Sequence, residues 1–288
     1  MAILRSTAAV VVALLALSGC AAQPDGAGGG GAPPVDARPG TAQAGDAVRL
    51  PPTGFVDYQL GGAYTPPEGA VGVSRDSTDS PAPGLYSICY VNGFQTQPAD
   101  RDLWLTDHPD LVLRSGGEPV IDENWPDELI VDTSTSEKRA RIAEIMGSAL
   151  DRCAASGFDA VEIDNLDSYS RSDGQLTDDD AIALAALYAA RAHAAGLAIA
   201  QKNSAELGER GRDEAGFDFA VAEECYRFDE CAVYGDVYGD HVLDIEYSDD
   251  LRGDFSDACD DEDSPASTIL RDRDLVTPSS EDYVFQAC

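Results

Sequence analysis

The chain has 288 residues, 53 of them acidic against 19 basic, for a formal net charge of −34. A surface this negative repels phosphate backbones, which argues against nucleic acid as a partner and favours a neutral or cationic ligand, although such acidity also serves solubility alone. Three histidines and no Cys-x-x-Cys pair argue against a zinc site, and neither metal nor other cofactor is expected.

The chain opens MAILRSTAAVVVALLALSGC, with an apolar run from Ala8 to Leu17 and small residues before Cys20. That run is short for a membrane span and has the form of a bacterial lipoprotein leader, so residues 1–19 are expected to be removed and Cys20 lipidated; an ordinary secretion signal is the alternative. Either way the protein is exported, and the first reading places it in the extracytoplasmic cell envelope on a lipid anchor. Residues 20–47, almost all Gly, Ala, Pro, Asp and Gln, hold too little apolar surface to fold and read as a flexible tether. Residues 48–288 carry the folded part, a length that suits one large domain or two small ones. Six cysteines remain, and an even count in an exported chain predicts disulfides. Fifteen pairings are possible; Cys225 with Cys231, Cys259 with Cys288 and Cys89 with Cys153 is the preferred set.

Strand-length apolar runs follow in order: GFVDYQL, AVGVS, LYSICYV, ELIVDT, FDAVEID, LAIAQKN, FDFAVAEE and HVLDIEY. Two helices separate some of them. In SEKRARIAEIMGSALDRCAASG the apolar positions recur at three- and four-residue steps, with Ser136 as a candidate cap and Gly157 as a stop; TDDDAIALAALYAARAHAAG opens on a Thr177–Asp180 capping box and ends at Gly196. Eight largely apolar strands with crossovers in about 240 residues predict an α/β fold, a single-domain (β/α)8 TIM barrel stapled by disulfides.

In such a barrel the working groups lie where strands end. The runs do end in polar residues: Asp76, Asn92 and Gln95, Asp132, Asp164 and Asn165, Lys202 and Asn203, Glu223 and Glu224, and Glu246. Within GFDAVEIDNLDSY, Glu162 and Asp164 alternate with Val161 and Ile163, which puts both acids on one face of a strand. No G-x-S-x-G, H-E-x-x-H, Walker or G-x-G-x-x-G motif is present, so acyl transfer by serine, zinc hydrolysis and nucleotide binding lose their usual support. Alignment of the segment around Gly174 with a calcium loop puts Tyr169 and Arg171 on ligand positions, which rejects that reading. Carboxylates on different strands are what glycoside hydrolysis needs, one to protonate the leaving oxygen and one to act as nucleophile or activate water. Asp164 and Glu223 are the candidates, with Lys202 able to hold a neighbouring carboxylate ionised. A salt-bridged rim that only anchors loops would present the same residues.

The stretches ICYVNGFQTQP (88–98), GFDAVEIDNLDSY (157–169), AQKN (200–203), FDFAVAEECYRFDEC (217–231) and IEYSD (245–249) together resemble the endo-α-1,4-polygalactosaminidases, glycoside hydrolase family 114. The resemblance implies a (β/α)8 barrel that hydrolyses α-linked galactosamine polymers without a metal. It makes Asp164 the nucleophile and Glu223 the general acid/base, or the reverse, and places Tyr58, Asp76, Asn165, Lys202 and Glu246 around the sugar. Glu162 is expected to be a buried structural acid paired with Lys202. One departure concerns the region after the third strand, where many members of the family carry a glutamate and an arginine; here Gln95 and Gln97 stand in NGFQTQPADRD. The expected partner is a deacetylated, cationic galactosamine polysaccharide met by a monomer. A lipoprotein that binds such a polymer without cutting it, or a structural envelope protein, are the competing readings.

Overall fold

The computed structural model describes residues 48–288; the expected leader, Cys20 and the tether lie outside the described residues. Eleven strands form: β1 (Val56–Gln59), β2 (Gly72–Asp76), β3 (Tyr86–Asn92), β4 (Arg114–Ser115), β5 (Glu118–Pro119), β6 (Ala160–Asp164), β7 (Ala198–Lys202), β8 (Phe219–Glu223), β9 (Val242–Tyr247), β10 (Ser267–Arg271) and β11 (Phe285–Ala287). Nine of them make one curled sheet in the order β1-β2-β3-β6-β7-β8-β9-β10-β11. All pairings in it are parallel except the last, in which β11 runs antiparallel to β10. β4 and β5 form a separate two-stranded hairpin.

The eight parallel strands are not the eight expected. ELIVDT stays out of the sheet: Leu129, Ile130 and Val131 make isolated antiparallel bridges to Ile121, Gln95 and Val112 inside the long excursion that follows β3. Its apolar residues are buried under that excursion, so hydrophobicity alone could not distinguish them from a sheet strand. The eighth parallel strand is STILR, Ser267–Arg271, whose Ser, Thr and Arg disguised it although all five residues are buried. Arg271 is fully buried because backbone carbonyls satisfy it: its guanidinium donates to Tyr58 O, to Val284 O at 3.0 Å and to Val276 O at 3.0 Å.

Helices α1 (Arg101–Asp107), α2 (Ser136–Ser156), α3 (Asp178–Ala194), α4 (Cys225–Phe228), α5 (Cys231–Tyr238) and α6 (Phe255–Asp260) complete the described chain. The two long helices stand where their periodicity put them. The cap of α2 is Thr135, whose side chain accepts the Lys138 N–H, and not Ser136; Gly157 ends the helix in the left-handed region. Thr177 and Asp180 form the capping box of α3. Strict β/α alternation fails, because no helix lies between β1 and β2 or between β2 and β3. All three preferred disulfides are present: Cys89–Cys153 ties β3 to α2, Cys225–Cys231 ties α4 to α5, and Cys259–Cys288 ties α6 to the C-terminus.

Strand alternation splits the core in two. Val56, Tyr58, Ile88, Ala160, Ala200, Val221 and Ile245 pack together on the concave face, while Cys89, Val91, Val161, Ile163, Ile199, Ala220 and Ala222 pack against the helices. That parity decides which polar residues enter the site. Residues in step with the first group, among them Tyr90, Glu162, Asp164, Lys202, Glu223 and Tyr247, project into the concavity.

Candidate active site

The ends of β6, β7 and β8 deliver Asp164, Lys202 and Glu223 to one point. Lys202 Nζ lies 3.2 Å from Glu162 Oε1, 3.2 Å from Asp164 Oδ1 and 3.2 Å from Glu223 Oε2. Both outer carboxylates therefore reach the same ammonium, and their nearest oxygens can be no farther apart than twice that distance. Each is held from its other side. Tyr90 donates to Asp164 Oδ2 at 2.5 Å; Tyr247 donates to Glu223 Oε1, and the Asn203 side-chain amide donates to Glu223 Oε2 at 3.1 Å. At the end of β3, Gly93 lets the backbone approach β6, since a Cβ there would sit 2.3 Å from the Ile163 side chain.

Three carboxylates around one ammonium do not titrate alike. Burial pushes Asp164 up, but Lys202, the Tyr90 hydroxyl and the Asn165 N–H outweigh it and hold its carboxyl below the ordinary aspartate value. Glu162 is fully buried, and burial raises its carboxyl against the pull of Lys202, Tyr58 and Ser74. Burial alone would lower Lys202, yet Asp164, Glu223, Tyr58 and Glu162 raise it well above its ordinary value, so the ammonium persists. The arrangement keeps Asp164 anionic, with an unprotonated oxygen, at the mouth of a pocket.

That pocket is a cleft of about 360 Å³ into which Asp164, Glu223, Asp76 and Asn165 open, with Lys202 at its floor. The site residues expected from the sequence divide accordingly. Asp164, Glu223, Asp76, Asn165 and Lys202 come together. Tyr58 and Glu246 do not line the cleft. Tyr58, 2% exposed, lies beneath the floor, donating to Glu162 Oε1 at 2.5 Å and accepting from Lys202 Nζ at 3.2 Å. Glu246 has the opposite strand parity and accepts the N–H groups of Tyr226, at 2.9 Å, and Arg227 on the helix side of the sheet. Glu162 is the buried partner of Lys202 that its position suggested. Asp132, another strand-end acid, pairs with Lys138 away from the cleft.

Several cleft residues carried no motif. Tyr90 and Tyr247 were legible in principle, since each lies two residues on from a buried concave-face residue, Ile88 and Ile245. Trp125 and Glu128 come from the excursion after β3, where no periodicity points at a site. Neither Gln95 nor Gln97 lines the cleft; Glu128 from the excursion and Arg171 from the turn after β6 do. Gln95 is buried and donates to Asp122 Oδ2 at 3.0 Å. Burial lifts the Glu128 carboxyl to about 7, with the Asn92 amide pulling it down, Asp164 and Asp122 pushing it up and Arg171 pulling it down.

Seven carboxylates line the cleft against three cations. Those cations are already engaged: Arg171 pairs with Asp122 at 2.7 Å and Asp167 at 2.6 Å, and Arg273 with Asp249 at 2.8 Å and Glu224 at 2.9 Å. Among the described residues, the one grouping of His, Cys and acidic side chains tight enough to share a metal ion is Cys225, Cys231 and Asp244, and both cysteines are consumed in a disulfide. No described helix is long and apolar enough to cross a membrane.

The model of glycoside-hydrolase family GH114 matches residues 38–288. The structure of Ega3 from Aspergillus fumigatus in complex with galactosamine is similar over 84% of this chain and 98% of its own, with a TM-score of 0.64 and 22% identity. The glycoside hydrolase domain of PelA from Pseudomonas aeruginosa is similar over 80% of this chain and 97% of its own, with a TM-score of 0.50 and 13% identity. At these identities the likeness is one of fold. No curated protein sequence matches the chain.

Proposed function

This chain belongs to glycoside hydrolase family GH114 and is a glycosidase, and on that premise we propose that it hydrolyses α-1,4-linked galactosamine polymers with Asp164 as nucleophile and Glu223 as general acid and base. The observation that carries the assignment is the convergence of both carboxylates on Lys202 at the floor of an acidic cleft. In the first step Asp164 Oδ attacks the anomeric carbon and forms a glycosyl ester, while Glu223 delivers its proton to the departing glycosidic oxygen. In the second, Glu223 takes a proton from water, the water oxygen attacks the anomeric carbon, and the ester bond to Asp164 breaks. Lys202 and Tyr90 stabilise the Asp164 carboxylate before attack and after release. Asp76 and Asn165 open on the same cleft and are read as sugar contacts; Tyr58 acts from below by holding Glu162 and Lys202 in place.

The excess of cleft carboxylates favours a deacetylated, cationic polymer. We read the curled sheet as a closed (β/α)8 barrel. Supporting this, the Val56 N–H donates to Ser267 Oγ at 3.2 Å and Arg271 donates to Tyr58 O, so the first and eighth parallel strands are joined by side chains, while β11 takes up part of the free edge of β10. Three disulfides fit an oxidising compartment outside the cytoplasm. Attachment there through a lipid on Cys20, by a monomer on a flexible tether, is the reading that the N-terminal composition supports.

The test is to incubate the protein with partly deacetylated α-1,4-galactosamine polymer beside its Asp164→Asn variant and to weigh the soluble products. Oligosaccharides are expected from the parent, with the variant slower by about four orders of magnitude. Equal release by both proteins would remove Asp164 from the reaction, and no release by a folded parent would remove this substrate.

A further inference from the structure

Most acids in and around the cleft already have a counter-charge or a donor. Asp164 and Glu223 share Lys202, Asp122 and Asp167 share Arg171, and Asp76 Oδ1 accepts from the backbone and hydroxyl of Thr78. Glu128 has amide donors but no ion pair. No lysine or arginine among the described residues lies within ion-pairing distance of it, yet it is half-buried. Two amides fix one oxygen: Asn92 Nδ2 donates to Glu128 Oε2 at 2.8 Å, and Asn165 Nδ2 reaches the same oxygen at 3.5 Å. Those amides are themselves oriented, because Asn165 Nδ2 donates to Asn92 Oδ1 at 3.0 Å and Arg171 donates to Asn165 Oδ1 at 3.2 Å. The carboxylate thus offers its other oxygen in a fixed direction.

Three residues before it stands Trp125, 62% exposed on the same cleft. The two are the ends of one turn, Trp125-Pro126-Asp127-Glu128, in which the Glu128 N–H donates to Trp125 O at 2.9 Å. Proline at the second position restricts that turn to few conformations, and Arg101 donates to Pro126 O at 3.1 Å, so the backbone positions from which the indole and the carboxylate project are held at a set spacing. An indole left in water at the edge of a polar cleft beside a carboxylate that makes no ion pair matches a hexosamine bearing a free amine: an apolar ring face for the indole and an ammonium for the acid. A second groove of about 540 Å³ shares Asp122, Asn124 and Arg171 with the cleft and runs on along the β4–β5 hairpin, giving room for further sugar units on that side.

We propose that the Trp125–Glu128 turn is a sugar-binding subsite that selects unacetylated hexosamine, with Glu128 pairing with the C2 ammonium and the Trp125 indole covering the apolar face of the same ring. This subsite rests on the galactosamine-polymer reading above and adds to it the residues that tell a free amine from an N-acetyl group. The raised carboxyl of Glu128 agrees, since burial outweighs the pull of the Asn92 amide and of Arg171, and a bound ammonium would relieve it.

The test separates the subsite from the hydrolysis. In the non-cutting Asp164→Asn background, deacetylated galactosamine oligomers are titrated against intrinsic fluorescence and compared with the same oligomers after chemical N-acetylation. The chain has two tryptophans, and Trp104 is buried, so Trp125 is the reporter that a sugar can reach. A blue shift is expected, with deacetylated oligomers bound more tightly. Adding Glu128→Gln should weaken their binding about tenfold and narrow the preference, as loss of a charge-assisted hydrogen bond predicts. Calorimetry on Trp125→Ala should show weaker binding of both oligomers. An unchanged preference in Glu128→Gln overturns the proposal, as does an emission spectrum that no oligomer moves. Failure of the parent to cut the polymer refutes the hydrolysis reading instead, and the binding result still decides whether the subsite exists.

Discussion

Glu246 and Tyr247, neighbours on β9, face opposite sides of the sheet: Tyr247 donates to Glu223 in the cleft, and Glu246 accepts the N–H groups of Tyr226 and Arg227 beneath the helices. Their substitutions should separate cleanly. Tyr247→Phe removes a donor to Glu223 and is expected to lower kcat by about 10- to 100-fold with little change in unfolding midpoint. Glu246→Ala leaves two buried backbone donors without an acceptor and should cost about 1–3 kcal/mol of stability. Denaturant unfolding and steady-state kinetics on the two variants check this, and a stability loss confined to Tyr247→Phe would contradict the assignment.

Asp244, also on the helix side of β9, is fully buried, and its carboxyl is raised well above the ordinary value, first by burial and then by the charge of Glu246. A group whose folded value is raised lends stability that is fully present below the unfolded value, near 3.8, and lost as pH climbs through the folded value. Asp244→Asn mimics the protonated acid, keeping an acceptor for the Cys225 N–H and a donor toward Glu246. The melting temperature of the variant relative to the parent is therefore expected to rise from pH 4 to pH 8. A difference that stays flat over that range would show that Asp244 carries no proton in the folded protein.

Lys202→Met tests the centre of the site. Without its ammonium, Asp164 keeps the burial and loses the largest influence holding its carboxyl down. The acid limb of the kcat/KM profile should move to higher pH, and stability should fall by about 3–5 kcal/mol because three carboxylates lose their one cation. An acid limb that does not move would mean that Asp164 is not the group titrating there.

The period-2 alternation in VEID puts Glu162 and Asp164 on one face, and Lys202 and Glu223 stand at strand ends in the sequence; the concave wall brings the four together. Glu246, a polar residue near the end of HVLDIEY, reads as a cleft residue, but alternation along β9 turns it to the helix side and gives the cleft position to Tyr247. STILR escaped notice because polar side chains on a seam are satisfied by backbone carbonyls from distant segments, as Arg271 is, and no local pattern encodes that partner. Trp125 and Glu128 escaped for a related reason. Their excursion is ordered by isolated bridges such as Gln95 to Ile130, pairings across tens of residues that leave no period in the sequence.

The spacing of Asp164 and Glu223 bears on the stereochemistry of the cut. Inversion needs room for a water between the sugar and the base, with carboxyl groups about 6.5–9.5 Å apart, whereas retention uses a spacing of about 5–5.5 Å. Asp164 Oδ1 and Glu223 Oε2 both lie 3.2 Å from Lys202 Nζ, so these two oxygens are no farther apart than twice that distance, and the shared ammonium draws the two carboxylates together as direct attack by Asp164 requires. Retention through an Asp164 ester is therefore expected, and the first sugar released from an α-linked polymer should carry the α configuration before it mutarotates. Proton NMR of the anomeric region within the first minutes of hydrolysis reads this directly. An initial β signal would require Asp164 to activate water instead of attacking carbon, and with it a cleft that opens when the polymer binds.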